Sequence, residues 1–407
     1  MSNISRRELF KRGGMIAVGL ATPNWLASIA RADVLRQLRG GRLDPDNVLV
    51  VCQLTGGNDG LNTVIPFSDR AYYAARPTVA IPENEVLRLN DKLGLHPSLG
   101  GLEKLFREGK VAVIQGVGYP KPNRSHFKSM DIWQSGSPDT SLPYGWIGRH
   151  FDAVAGPLNP VVALGLSTEK PRALTAKQAS IPCFASLADI ENMVGDPDAE
   201  KMLRQIQGAD AKAGSNTRLI QQANKSALDA MGLLRDQLAK FQPKQTYGSD
   251  PFGIGFKQIA QLVATSPQTR VIYFSVGGFD THARQRDQHA QLLKGLGDGL
   301  AAFQAEIDAL GKGKKVTVLV FSEFGRRTYE NASAGTDHGA AAPLLLIGGN
   351  VKGGFYGPIP NFNDLDDGDI KFAIDFRQVY ATALEDWLGG DASAVLGQPF
   401  AKLEVLR

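Results

Sequence analysis

Cysteine is almost absent from this chain: Cys52 and Cys183 are the only two among 407 residues. Two thiols cannot make a disulfide framework, and neither has the near-neighbour cysteine that a thiolate metal site requires. Cys52 falls inside an apolar run and is expected as a buried free thiol. Histidine is also scarce, with six residues. Long apolar runs are missing. The stretch Met15–Ile29 is under the roughly 18 residues of a good spanning helix and is broken by Pro23, and no other segment is long enough. No stable transmembrane segment is therefore expected in the mature chain. A formal net charge of +4 is mild for this length, and no basic run interleaved with aromatics follows the N-terminus. Nucleic acid is not an expected partner. Internal repeats and long low-complexity segments are lacking. What is present, 43% hydrophobic and 21% charged residues, fits an ordinary globular protein. The length allows two domains, and one large α/β domain fits equally well.

The first 32 residues read as an export signal and not as a domain element. Arg6 and Arg7 precede the modestly apolar stretch, which exits through Ala30-Arg31-Ala32. Charged start, short apolar centre and small-residue exit are the three parts of such a signal. The order Ser-Arg-Arg-x-Leu-Phe-Lys resembles the twin-arginine signal. That resemblance implies the twin-arginine translocase as a partner during export, and a periplasmic or otherwise exported protein. Residues 40–407 are then expected as the mature domain.

Behind the signal, buried strands alternate with helices. The runs 47–54, 111–115, 160–166, 270–276, 316–321 and 343–349 are near-continuously apolar. Strands covered on both faces read this way. Between 285 and 310, Leu292, Leu296, Leu300, Phe303, Ile307 and Leu310 recur at steps of three and four, one buried stripe of a helix. Strand, helix, strand in this form predicts an α/β fold with a mostly parallel sheet and helices on both faces. The polar, helical stretch 197–265 has no strand and is expected as an insertion or cap on the same domain.

Active sites in such sheets lie outside the carboxyl ends of the strands. Asn58 and Asp59 leave the first strand in a glycine-flanked loop, "TGGNDGLN". Asp280 and His282 leave "RVIYFSV", Ser322 and Glu323 leave "VTVLVF", and Asp337 and His338 stand before "PLLLIGG". Each residue alone has a plain structural reading: an Asp as a turn residue, a His as a hydrogen-bonded core group. His289 fits that second reading, because it extends the buried helical stripe. Their arrival from four distant segments at one sheet edge points to a divalent cation. Imidazoles with carboxylates suit zinc, manganese or iron, whereas an all-oxygen shell suits calcium or magnesium.

The order Asp59, Ser125, Asp280, His282, Glu323, His338 resembles that of the alkaline phosphatase superfamily of phosphatases, sulfatases and cofactor-independent phosphoglycerate mutase. More narrowly, "LTGGNDGLNTVIP", "LHPSLGGL", "NRSHF", "FDTH", "SEFGR" and "DHG" resemble the DUF1501 family, a bacterial family of unknown function. The resemblance implies an alkaline-phosphatase-like core and a metal set of Asp59, Asp280, His282, Glu323 and His338. Asp280, His282 and His338 would fill one site, with Asp59, Glu323 and Ser125 around a second. The pattern departs from the superfamily in two places. Phe324 follows Glu323 where a histidine is usual, and one residue separates Asp280 from His282 where three are usual. A second site that is weak or absent follows, and the metal is expected as zinc or manganese. Asp337 could serve as a ligand or orient its neighbours.

Two residues are candidates for the chemistry. In "PKPNRSHFKSMDIWQSG", Asn123 is placed as a helix N-cap and Ser125 in the first turn, where backbone N–H groups favour an anion. Ser125 is the candidate nucleophile, with capping as its plain alternative. His126 is the alternative as ligand or general acid, or it simply packs or binds water. Arg124 and Lys128 could hold anionic oxygens. Arg326 and Arg327 could do the same, or Arg326 could pair with Glu323. His96 and His150 carry no assigned role. The favoured function is an exported metal-dependent hydrolase of phosphate or sulfate esters, with Ser125 or a metal-bound water as nucleophile. The alternative is a non-catalytic binding or assembly protein on a degenerate phosphatase-like fold.

Overall fold

The computed structural model describes residues 46–139, 141–154, 158–187, 225, 229–231, 233–234, 238 and 240–407. The expected export signal, and the expected insertion up to residue 224, lie outside the described residues.

Among the described residues the chain is built on a nine-stranded sheet. In chain order its strands are β1 (Val48–Leu54), β2 (Val111–Gly118), β3 (Ala163–Leu166), β4 (Cys183–Phe184), β5 (Val271–Val276), β6 (Val316–Phe321), β7 (Ala342–Ile347), β8 (Gly354–Tyr356) and β9 (Ile374–Asp375). They lie side by side as β8-β2-β7-β6-β1-β5-β3-β4, and β9 also pairs β2. β1 sits in the middle, parallel to β5 on one side and to β6 on the other. All seven of its residues are buried, which is why its sequence is apolar without alternation.

Alternate residues of the strands feed two separate cores. Val48, Val50, Cys52 and Leu54 pack on one face with the helices α1 (Gly100–Arg107), α4 (Pro251–Thr265) and α5 (Gln285–Ala309). Leu49 and Val51 face the other side, with α2 (His126–Ser135), α3 (Trp146–Asp152) and α6 (Phe376–Thr382). The sheet is mostly parallel with helices on both faces. On α5 the stripe is Leu293, Leu296, Leu300, Phe303 and Ile307, with Leu292 and Leu310 only half-buried at its margin. Cys52 is a buried free thiol, and Cys183 is also free.

One expectation changes. The stretch 251–265 is not part of a cap. α4 buries Phe252, Phe256, Ile259 and Val263 in the core, with Asp250 capping its N-terminus by accepting from the Phe252 and Gly253 N–H groups. β7 runs antiparallel to both of its neighbours, β6 and β2. A parallel neighbour would need a crossover, and residues 322–341 form no helix that could provide one. Because β7 is reversed, the residues that precede it lie at the edge where β1, β5 and β6 end.

Candidate metal centre

Five segments meet at that edge, and the loops that carry them leave no room between them. Gly56 has φ +120°, and a Cβ there would stand 2.4 Å from the Asp280 backbone nitrogen. A Cβ on Gly335 would stand 2.2 Å from the His282 carbonyl carbon. Only glycine lets β1's exit loop and the loop before Asp337 pack against the Asp280–His282 turn.

Asp280 Oδ1 is the point of convergence. His282 Nε2 lies 3.0 Å from it, His338 Nε2 3.1 Å and His126 Nε2 3.4 Å. The two imidazole nitrogens of His282 and His338 are 2.9 Å apart. His126, Asp280 and His338 form a group that could hold a metal ion, with ligand atoms all within 4.8 Å of one another. Asp280 and His282 are 48% and 43% exposed, so the group is open to solvent from their side.

The other ring nitrogen of each histidine is engaged. His126 Nδ1 lies 2.9 Å from Glu323 Oε1, His282 Nδ1 3.0 Å from Asp337 Oδ1, and His338 Nδ1 2.7 Å from the Arg124 carbonyl. All three partners are oxygen acceptors, so each Nδ1 donates and, in a neutral ring, each Nε2 presents its lone pair. Three lone pairs then face one carboxylate oxygen. His126 Nε2 is buried and makes no hydrogen bond. A donor set of imidazole nitrogens and one carboxylate oxygen, each imidazole braced through its far nitrogen, fits a divalent cation.

The electrostatics around the group are uneven. Burial pushes the Asp280 carboxyl up, but the hydrogen bond from Arg326 and the neighbouring His338 outweigh it and hold its pKa at about 2. The Glu323 hydrogen bond raises the His126 pKa above its ordinary value against the effect of burial. Burial lowers that of His338, more than the nearby Asp280 carboxylate and the Arg124 carbonyl raise it.

Asp280, His282 and His338 therefore come together, and His126 joins them. Glu323 is fully buried and does not reach Asp280 through any contact of its own. Its Oε1 accepts from the Gly56 N–H at 2.8 Å as well as from His126, so it braces an imidazole. Asp337 takes the bracing place on His282. Phe324 offers no ligand atom, and its ring packs 4.8 Å from both the His126 and the His338 ring centroids as an apolar wall.

Asp59, expected as a ligand, is committed elsewhere. It is fully buried, its Oδ2 lies 2.6 Å from Arg76 Nη1 and 2.5 Å from Gln285 Nε2, and Oδ1 receives the Asn62 N–H. The buried Arg76 guanidinium neutralises it. Arg326 does not pair with Glu323. Its buried guanidinium contacts the Gly56, Gly57, Phe279 and Thr336 carbonyls and Asp280 Oδ1, tying three site loops together. Arg124 is held by Asp367 and Asp369 and is not free to grip an anion. The helix N-cap is Ser125 and not Asn123. Asn123 Oδ1 instead accepts the Ser125 N–H at 2.9 Å, and α2 begins at His126. Ser125 is exposed and its hydroxyl makes no capping bond. His289 is a buried core histidine whose Nε2 lies 2.9 Å from Asn58 Oδ1. Arg76, Gln285 and the acceptor role of Arg124 carry no sequence signal of their own, because only the fold brings them to these partners.

Among the described residues no helix is long and apolar enough to cross a membrane. No curated protein matches the chain. Solved structures similar to it include the PsFucS1 sulfatase from Pseudoalteromonas sp., with 11% identity and a TM-score of 0.41 over 94% of this chain and 75% of that one. The C-terminal periplasmic domain of EcEptC from Escherichia coli, in complex with Zn, is 8% identical with a TM-score of 0.33, covering 76% of this chain and 74% of that one. A protein in the alkaline phosphatase superfamily from Vibrio parahaemolyticus is 8% identical with a TM-score of 0.37, over 88% and 71% of the two chains. Likeness at this level says nothing of which residues act. The sequence itself is decisive about kinship: residues 46–396 match the family described as "Protein of unknown function (DUF1501)", and the chain belongs to that family.

Proposed function

We propose that this protein is a metal-dependent hydrolase of phosphate or sulfate esters, exported by the twin-arginine route, with zinc or manganese held by His126, Asp280, His282 and His338. One observation carries the reading. Three imidazole Nε2 atoms and one carboxylate oxygen converge while every Nδ1 is anchored to an acceptor. A divalent cation bound there supplies Lewis-acid stabilisation of the charge that develops on the ester oxygens. Ser125 is the nucleophile of this reading. It lies between Arg124, whose carbonyl holds His338, and His126, which touches Glu323. The first backbone N–H groups of the ten-residue α2 offer donors to the anionic oxygens of the substrate. If Ser125 does not attack, water does, and His126 remains the group that Glu323 positions. A single cation is expected, because Arg76 neutralises Asp59 and His126 occupies Glu323.

The binding-protein reading is favoured by one feature, the commitment of Arg124 to Asp367 and Asp369 in place of a substrate anion. Metal analysis of protein purified after natural export, followed by a screen of aryl phosphates, phosphodiesters and sulfates, separates the two. A single tightly held divalent cation and hydrolysis that His338→Ala abolishes are expected. Fully metallated protein that cleaves none of these esters would overturn the hydrolase in favour of a binding protein.

A further inference from the structure

Two arginines on different segments of the centre reach the same carboxylate. Arg124 stands two residues before His126, and Arg327 four residues after Glu323. Arg124 Nε lies 3.0 Å from Asp369 Oδ2, with Nη2 on the same oxygen, and Arg327 Nε lies 3.6 Å from Asp369 Oδ1. Asp369 comes from neither segment. It belongs to a short hairpin, Leu365–Asp366 paired with Asp369–Ile370, whose turn places Asp367 and Gly368 at φ +50° and +77°. Through that turn Asp367 Oδ2 meets Arg124 Nη1 at 2.8 Å, and the Asp367 carbonyl accepts from Arg327 Nη2. Asp369 is 1% exposed, and its Oδ1 makes no hydrogen bond. A buried carboxylate held only by two arginines is costly to keep unless it fixes something.

What it fixes follows from the backbone. Arg124's carbonyl takes the proton of His338 Nδ1 at 2.7 Å, and His126 meets Glu323 at 2.9 Å across the gap between the two segments. We infer that Asp369 is a positioning residue for the metal centre: by clasping Arg124 to Arg327 it sets the direction of the His126 and His338 imidazoles. The inference rests on the reading of these imidazoles as metal ligands. Its geometric core, that Asp369 fixes their Nδ1–H bonds, does not depend on a metal being bound.

The test uses the full mature chain with Asp369→Asn and Arg124→Lys. Arg124→Lys keeps the charge and the carbonyl but loses the two-pronged grip, and it carries the test if Asp369→Asn fails to fold. Zinc affinity is measured by competition with a chromophoric chelator, and imidazole tautomers by nitrogen NMR of metal-free protein. Each variant should bind zinc about 10-fold more weakly or worse, the scale seen for groups that brace metal-bound histidines. His126 and His338 should lose their fixed Nδ1–H form. Arg377→Lys, which thins the separate Arg377–Asp375 pair, should change neither readout, and an equal loss there would reduce the effect to general stability and overturn the inference. Folded Arg124→Lys with wild-type zinc affinity and wild-type imidazole signals also overturns it. Wild-type protein that takes up no zinc would sink the metal reading instead, and the tautomer measurement would still decide the role of Asp369.

Discussion

Replacing Asp59 by asparagine separates the two roles open to this carboxylate. Asp59 Oδ2 lies 2.6 Å from Arg76 Nη1, and neither side chain is exposed. Asparagine keeps the shape, removes the charge and strands a buried guanidinium. Breaking one side of a buried ion pair costs about 3–5 kcal/mol. Arg76 keeps three other acceptors, Asn62 Oδ1 and the Thr328 carbonyl at 2.9 Å and the Arg327 carbonyl at 2.8 Å. The lower end, about 3 kcal/mol, is therefore expected, a large share of the roughly 5–15 kcal/mol that holds a domain together. Urea unfolding should show it as a lower midpoint at unchanged slope. The acid limb should change as well. Burial pushes the Asp59 carboxyl up, but Arg76 outweighs it, and the pKa lies below the ordinary value of 3.8. A depressed folded-state pKa contributes stability that is full above the unfolded value and is lost as pH falls through the folded one. Wild-type protein should thus lose stability more steeply than Asp59→Asn below about pH 4. Metal content should be the same in both. A variant that loses metal while its unfolding midpoint stays put would refute the ion-pair assignment and restore Asp59 as a ligand.

Glu323→Gln removes the charge that braces His126 and should weaken zinc binding by about 10–100-fold in chelator competition, while leaving Asp280 and His282 in place. Unchanged affinity would mean that His126 is not a ligand. Ser125→Ala should lower ester hydrolysis by orders of magnitude with metal content unaltered, as measured by single-turnover assays; near-normal turnover would assign the attack to water. Arg6→Lys with Arg7→Lys should leave the protein in the cytoplasm in cell fractionation, and an undiminished periplasmic yield would remove the twin-arginine assignment.

The strand ends were legible because a strand buried on both faces is an apolar run, and its first polar residue marks the sheet edge. Asp280, His282, Glu323 and His338 were found that way. The reversal of β7 was also open to deduction, since "SEFGRRTYENASAGTDHG" holds no apolar periodicity for a crossover helix. The start of α2 was harder. Moving the N-cap from Asn123 to Ser125 is a shift of two residues, which turns every following side chain by about 200° around the axis. With the shift, His126 is the first helical residue and reaches the centre, and Ser125 stands at the N-cap before it. Arg76 was not legible at all. It lies 17 residues from Asp59, and nothing local distinguishes an arginine that ends a short helix in solvent from one that turns inward.

The scarcity of histidine acquires a physical sense from the way the three imidazoles are braced. His338 is oriented by the carbonyl of Arg124, which belongs to His126's segment. His282 is oriented by Asp337, the neighbour of His338. His126 is oriented by Glu323, at the end of β6. Each imidazole thus depends on a segment that delivers another part of the centre, and Arg326 binds the loops of β1, β5 and β7 together beneath them. An arrangement braced crosswise has little tolerance for an imidazole that moves alone, so the bracing groups count for as much as the imidazoles. Phe324 has a packing role of its own at this edge. Its ring packs against both His126 and His338, whose own ring centroids are 4.3 Å apart, and Arg76 supplies the positive charge at Asp59. At this edge of the sheet the buried carboxylates of Asp59 and Glu323 are thereby partnered from within the chain.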